Sequence, residues 1–240
     1  MYKLQEIYDR RAENTLNNFI LWIRGEYYKY FIIPFIREFI KKYSGDGKGF
    51  LYGKIVERGS GQGHKMLKTI EGLLGDGFEF FGIEPSKGMR EIAEKKFKND
   101  NRVSFIDGFA ENLPFKNESI DFIFDIQMQH HHTREKRQEM IKEALRVLKK
   151  GGHICILDTF SPFEETLLSG VKKRVFSLLQ GLYINKVGKG DYYNGTLEET
   201  IDLLEEEGFY INTEYSRGYK VFLGHILGID FINMIIATKN

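Results

Sequence analysis

The residues best suited to ligand chemistry lie together in one segment, Ile55-Val56-Glu57-Arg58-Gly59-Ser60-Gly61-Gln62-Gly63. An apolar pair runs into an acid, and glycine then fills alternate positions. Glycine lets a backbone turn tightly and approach a ligand closely. A helix after such a loop presents free N–H groups to a carboxylate or phosphate. Two phosphate-binding patterns fail here. The dinucleotide fingerprint G-x-G-x-x-G needs glycine where His64 stands, and a P-loop needs Gly-Lys-Ser/Thr where the chain reads Gly63-His64-Lys65. Acids accompany the loop instead: Glu57 within it, then Glu84, then Asp107. A carboxylate at Glu84 can accept from both hydroxyls of a ribose, and one at Asp107 from an adenine amino group. Three acids suit a cationic, adenosine-bearing ligand without phosphates.

The surrounding pattern supplies elements that would bring these acids together. Ile55-Val56 closes a short strand, Met66 to Leu74 reads as helix, and Phe78 to Ile83 as strand. Lys87 to Phe97 is helical, with Met89, Ile92, Ala93 and Phe97 on one face. Val103 to Ile106 is a strand, and Ile120 to Ile126 is a near-continuous apolar run of the kind buried on both faces of a parallel sheet. Glu135 to Lys149 is an amphipathic helix stopped by Gly151-Gly152, and His153 to Leu157 is another buried strand in which Cys155 is inert packing. Alternation of this kind predicts an α/β fold with a parallel sheet. Glu57, Glu84 and Asp107 then fall at three consecutive strand ends, along the edge where open α/β sheets bind ligands.

Two regions break the rhythm. Residues 1 to 43 read as an aromatic-rich helix that Pro34 should kink or divide. From 159 to 195 an inserted helix opens on the capping box Ser161-Pro162-Phe163-Glu164. A second box, Thr196-Leu197-Glu198-Glu199, opens a helix ending at Gly208, and two final strands follow near Tyr210 to Tyr215 and Phe231 to Thr238.

Composition narrows the partners. Lys and Arg number 35 against 34 Asp and Glu, a net charge of +1, which argues against a nucleic-acid partner. A single cysteine cannot make an internal disulfide or a structural zinc site. The charged N-terminus, Met1 to Arg10, lacks the apolar core of a secretion signal, and no run approaches the ~18 apolar residues of a membrane span. The expectation is a cytoplasmic protein with no membrane span, and nothing in the chain sets an oligomeric state. Phe, Tyr and Trp make up 14% of residues, concentrated in the N-terminal helices, where they could line a substrate pocket.

Taken together, the motifs resemble the class I S-adenosylmethionine-dependent methyltransferases, in the small-molecule subgroup that includes the quinone-biosynthesis C-methyltransferases. After the glycine loop, Gly82-Ile83-Glu84-Pro85-Ser86-Lys87-Gly88-Met89 is similar to the family's second motif, and Asp107-Gly108-Phe109-Ala110-Glu111-Asn112-Leu113-Pro114-Phe115 to its third. Ile120-Asp121-Phe122, His130-His131 and Leu145 to Gly152 resemble its fourth strand and the segments after it. The resemblance implies a Rossmann-like, mainly parallel seven-stranded sheet with helices on both faces and a helical cap. It implies a cap segment over 1–48 and a methyltransferase domain over 49–240, with 159–195 an insertion contributing to the cap.

The resemblance also implies roles. Glu57, Gly59, Gly61 and Gly63 would lie along the methionine part of the cofactor, and Glu84, with Pro85 and Ser86 beside it, would hold the ribose. Asp107, Gly108, Phe109 and Ala110 would frame the adenine, with Met89 packed on it. Gln127 would sit near the sulfonium, and Tyr8 would close over the cofactor. His130 and His132 are the candidate general bases, since histidine titrates near neutrality. No metal site is expected, because consecutive histidines on a strand end point in different directions. Arg58, where the family usually has an apolar residue, reads as a strand-end surface residue, or as one in a salt bridge near the cofactor. The implied activity is methyl transfer to an O, N or C nucleophile of a small, apolar or aromatic acceptor. The alternatives are a non-catalytic S-adenosylmethionine-binding scaffold or sensor, and a nucleotide-dependent oxidoreductase. An amino-methylating nucleic-acid enzyme would carry N/D-P-P-Y/F after the fourth strand, where Asp125-Ile126-Gln127-Met128 stands.

Overall fold

The structure, a computed structural model, describes residues 30, 33–43, 49–63, 71–158, 197–220 and 231–240. Among these, helices α1 (Ile33–Tyr43), α2 (Lys87–Phe97), α3 (Arg134–Val147) and α4 (Leu197–Glu206) flank one sheet. The strands are β1 (Lys54–Arg58), β2 (Glu79–Ile83), β3 (Val103–Ile106), β4 (Ile120–Ile126), β5 (Leu148–Asp158), β6 (Phe209–Ile211), β7 (Arg217–Lys220) and β8 (Phe231–Lys239). Seven of them follow the order β3-β2-β1-β4-β5-β8-β6. The eighth, β7, pairs with the first half of β8, while β6 pairs with its last residues. The expected seven-stranded, mainly parallel sheet is therefore present, with its last position shared by two short strands.

The order places the site. From β1 the chain builds outward through β2 and β3, then crosses back so that β4 and β5 add on the other side. Such a reversal opens a crevice at the carboxyl ends of the two central strands. Here those are β1, which ends at the glycine loop, and β4, which ends at Gln127.

Alternation along the central strands fills two cores. Ile55, Phe122, Phe124, Cys155, Leu157, Met234 and Ile236 face one side, packed with Ile36 and Phe39 of α1. Val56, Ile123, Ile154, Ile156 and Ile235 face the other, packed with Ile141 and Ala144 of α3 and Leu203 of α4. Both faces are covered, so the apolar runs of β4 and β5 need no polar side. The part of the N-terminal segment within the described residues lies along a sheet face, with Phe39 edge-on to His153 at 4.9 Å. Among the described residues no helix is long and apolar enough to cross a membrane.

Two local expectations differ. The helix read as Glu135 to Lys149 ends at Val147, because Leu148 is already extended (ψ 137°) and pairs with Ile120 as the start of β5. Gly151 (φ 74°) turns the backbone inside that strand, where the register shifts, instead of stopping the helix. Pro34 stands in the first turn of α1, where its missing N–H costs nothing, a place compatible with a helix divided there. The rest of the predicted N-terminal helix, most of the helix at Met66 to Leu74 and the 159–195 insertion lie outside the described residues, although Glu71–Leu73 forms one 3-10 turn.

Candidate functional site

The loop after β1 turns through glycines that other residues could not replace without strain. Gly59, Gly61 and Gly63 all have positive φ, at 66°, 56° and 68°. A side chain at Gly63 would meet the rings of Phe97 and Phe105 at 2.9 Å, so the loop packs tightly there. At Gly61 no atom of the described residues lies within 4 Å of the position a Cβ would take. One end of the loop is thus buttressed and its middle is open, as a backbone that admits a ligand must be. The amides of Gly59 and Ser60 donate to Ile83 O at 2.8 and 3.1 Å, tying the loop to the end of β2.

Glu84 stands where β2 ends. Its carboxylate accepts from Gly61 N at 2.8 Å and from Ser86 N at 2.9 Å, so it joins the glycine loop to the start of α2. The residue is only 6% exposed. Ser86 spends its hydroxyl capping α2, accepting from Met89 N at 3.2 Å, and Met89 is buried beneath it. Asp107 stands one strand further out. Its side chain is 70% exposed and receives Arg90 Nη1 at 2.9 Å, while the same nitrogen donates to Glu84 O at 2.6 Å. Phe109 next to it is one of the few exposed large apolar side chains among the described residues. An exposed ring beside an exposed carboxylate fits the face and amino group of an adenine, and Glu84 beside the open Gly61 fits a ribose. The residues present therefore suit S-adenosylmethionine.

The other half of the edge is dry. Arg58 is fully buried, and its Nε and Nη2 donate to the two oxygens of Asp125 at 2.7 and 2.5 Å. Its Nη1 donates to Ala110 O at 3.1 Å and to Met140 O at 2.6 Å. One guanidinium thus joins β1, β4, the loop after β3 and α3. Asp125 also accepts from Gln129 Nε2 at 2.6 Å. The reading of Arg58 as a surface residue is overturned: the apolar neighbours that would normally fill this position are replaced by an enclosed ion pair.

After β4 the chain turns at Gln127, whose φ of 52° is rare for a residue with a side chain. Its N–H donates to Leu157 O at 2.8 Å, and the side chain is buried. Gln129–His131 then form a single 3-10 turn, not a strand end, and the His130 and His131 rings lie 4.0 Å apart. Asp158, fully buried at the end of β5, holds this turn. Its Oδ2 accepts from Met128 N and His130 N, both at 3.1 Å, and its Oδ1 lies 2.5 Å from His130 Nδ1. His132 is half-buried; desolvation holds its imidazole below the ordinary histidine range, against the opposing pull of Glu111 and Asp125.

The structure thus brings Gly59, Gly61, Gly63, Glu84, Pro85, Ser86 and Met89 to one crevice, with Asp107, Gly108, Phe109 and Ala110 at its outer side and Gln127, His130 and His132 across β1. Glu57, next to last in β1, stands at the strand end as expected and is fully buried, in register with Gly82 and Phe124. Tyr8 lies outside the described residues. Sequence reasoning missed Asp125 and Asp158. Each had a signal, an acid set into or ending an apolar run, the same pattern that singled out Glu84.

A methyltransferase-domain profile matches residues 55–152. The ubiquinone/menaquinone biosynthesis C-methyltransferase UbiE of Campylobacter jejuni strain 81116 is 42% identical over 191 residues, 78% of this chain and 74% of that one. An uncharacterized methyltransferase of Bacillus licheniformis is 38% identical over 120 residues, half of this chain and 54% of the relative, so the match spans about half of that protein's length. The fold is that of a crystal structure of an S-adenosylmethionine-dependent methyltransferase from Methanosarcina mazei, with a TM-score of 0.58, 19% identity, and 78% and 92% of the two chains covered. On the glycine loop, the strand-end acids and these likenesses, the chain belongs to the class I S-adenosylmethionine-dependent methyltransferases.

Proposed function

We propose that this chain moves a methyl group from S-adenosylmethionine to an oxygen, nitrogen or carbon nucleophile of a small aromatic acceptor. The observation that carries the reading is the open backbone at Gly61, bonded directly to the Glu84 carboxylate. Ribose hydroxyls would share that carboxylate with the loop, Asp107 and the Phe109 ring would take the adenine, and Met89 would support it from below. Gln127 would lie toward the methionine end. The bound cofactor supplies an electrophilic methyl group on a sulfonium. What the chain adds is orientation and exclusion of water, the effects that reward a fixed approach of nucleophile to methyl. His130 or His132 would take the acceptor's proton, His132 being neutral because burial opposes its charging.

The chain before α1, with Tyr8, and the 159–195 insertion are proposed to cap this edge and supply the aromatic wall of the acceptor pocket, while α1 itself packs along a sheet face. The likeness to a quinone-biosynthesis C-methyltransferase makes a quinol ring the first acceptor to try. Calorimetry with S-adenosylmethionine, S-adenosylhomocysteine and NAD comes first, followed by transfer of labelled methyl to quinols, phenols and amines. Binding of the two sulfur ligands and not NAD is expected. Absence of binding by folded protein would sink the reading, and binding without transfer to any acceptor would favour a scaffold or sensor.

A further inference from the structure

We infer that Asp158 is a positioning residue that decides which nitrogen of His130 carries the proton, leaving Nε2 as the basic nitrogen that accepts the proton of the methyl acceptor. The inference rests on the methyl-transfer reading and deepens it. Asp158 has no solvent exposure and acts on the reaction through the turn it holds. Its two oxygens are used differently. Oδ2 takes two backbone N–H groups, from Met128 and His130, and Oδ1 takes Nδ1 of the His130 ring. Backbone and side chain of one residue are therefore fixed by a single buried carboxylate. Its location matters, since Met128 also packs over Gly59, where a Cβ would come within 2.8 Å of Met128 Cγ. The turn that carries His130 thus rests on the cofactor loop itself.

The chemistry follows from the acceptor-only character of a carboxylate. A carboxylic acid ordinarily loses its proton well before an imidazolium does, so in the pair the proton belongs on Nδ1 and the lone pair on Nε2. As the acceptor's electron pair takes the methyl group, the broken carbon–sulfur pair stays on sulfur and the acceptor's proton goes to Nε2. The imidazolium so formed is balanced by the Asp158 charge, the arrangement known from hydrolytic triads.

The pair makes an unusual prediction for Asp158→Asn. The two backbone N–H groups at Oδ2 require an acceptor there, so the amide oxygen must take that position. The amide NH2 then faces Nδ1 and donates to it, which forces the proton onto Nε2. The substitution should therefore invert the tautomer, not merely weaken it.

The test is nitrogen NMR of histidine-labelled protein at neutral pH, with His130→Gln identifying the resonance among the six histidines. Wild type should show Nδ1 as the N–H nitrogen, and Asp158→Asn should show Nε2. With an acceptor found above that must lose a proton, kcat should fall about 100-fold in Asp158→Asn, with S-adenosylhomocysteine affinity changed less than about threefold. A wild-type His130 protonated on Nε2, or an unchanged tautomer in the variant, overturns the inference. Should Asp158→Asn fail to fold, the wild-type spectrum alone decides. Failure of S-adenosylhomocysteine to bind wild type would instead defeat the methyl-transfer reading, whatever the tautomer.

Discussion

Asp107 follows β3 with its side chain 70% exposed, whereas Asp158 ends β5 with none exposed, although both are aspartates at the carboxyl end of an apolar run. Between them stand Glu84, nearly buried, and the Arg58–Asp125 pair, fully enclosed. Moving across the sheet from β3 to β5, the carboxylates pass from solvent into protein, and their partners change accordingly. Asp107 has one arginine at the surface. Glu84 has two backbone amides of the ligand-side loops. Asp125 and Asp158 have only interior donors. Burial turns the same group from one that meets a ligand into one that holds the parts that do, because an enclosed charge is tolerated only when hydrogen-bonded throughout.

Substitutions on the dry side should give the largest effects. Arg58→Met leaves Asp125 charged and enclosed, and should cost about 3–5 kcal/mol of stability, read as a shift in the urea midpoint. The double variant Arg58→Met, Asp125→Leu should lose much less than the sum of the single losses, and simple additivity would mean the two are not acting as a pair. Next in size is a pH effect within β5. Burial pushes the His153 imidazole down to about 4, below its unfolded value. The stability this contributes is present above the unfolded value near 6.5 and lost as the pH falls toward 4, by on the order of 2–3 kcal/mol. Equilibrium unfolding at several pH values checks this, and His153→Gln should flatten the slope in that window.

Within the loop, Gly63→Ala should destabilise by roughly 1–3 kcal/mol, from positive φ and from the Phe97 and Phe105 rings together. Gly61→Ala, with the same backbone strain and open space around it, should cost only about 1 kcal/mol but weaken cofactor binding. Equal losses of stability would show that the loop is not open in the middle. On the wet side, Glu84→Ala should lower S-adenosylhomocysteine affinity about 10–30-fold by calorimetry. Asp107→Asn should change it only a few-fold and stability by less than about 0.5 kcal/mol, as expected for a solvated carboxylate with a surface partner. If Asp107 proved the stronger of the two, the gradient from wet to dry would not order these residues.

Much of this was legible in the chain because its signals are local. The apolar runs at β4 and β5, the helix from Lys87 to Phe97 and the strand from Val103 to Ile106 depend on neighbours a few residues away, and all appear where the pattern puts them. The glycine loop is legible for the same reason: positive φ at alternate positions is a property of the residues themselves. The end of α3 was misread because the deciding contact, Leu148 with Ile120, joins residues separated by the rest of β4 and all of α3, and outweighs the glycines that follow.

What the sequence by itself determined is the alternation of strands and helices, the glycine loop and the presence of acids near strand ends. Those follow from side-chain period and backbone freedom, which no partner needs to supply. The tertiary structure alone decided which acid does what. Arg58 finds Asp125 across 67 positions of chain, and His130 finds Asp158 across 28. Each pairing exists because β4 lies between β1 and β5, and each carboxylate's role is set by the dielectric it is folded into, a quantity that belongs to the assembled sheet and not to any residue in it.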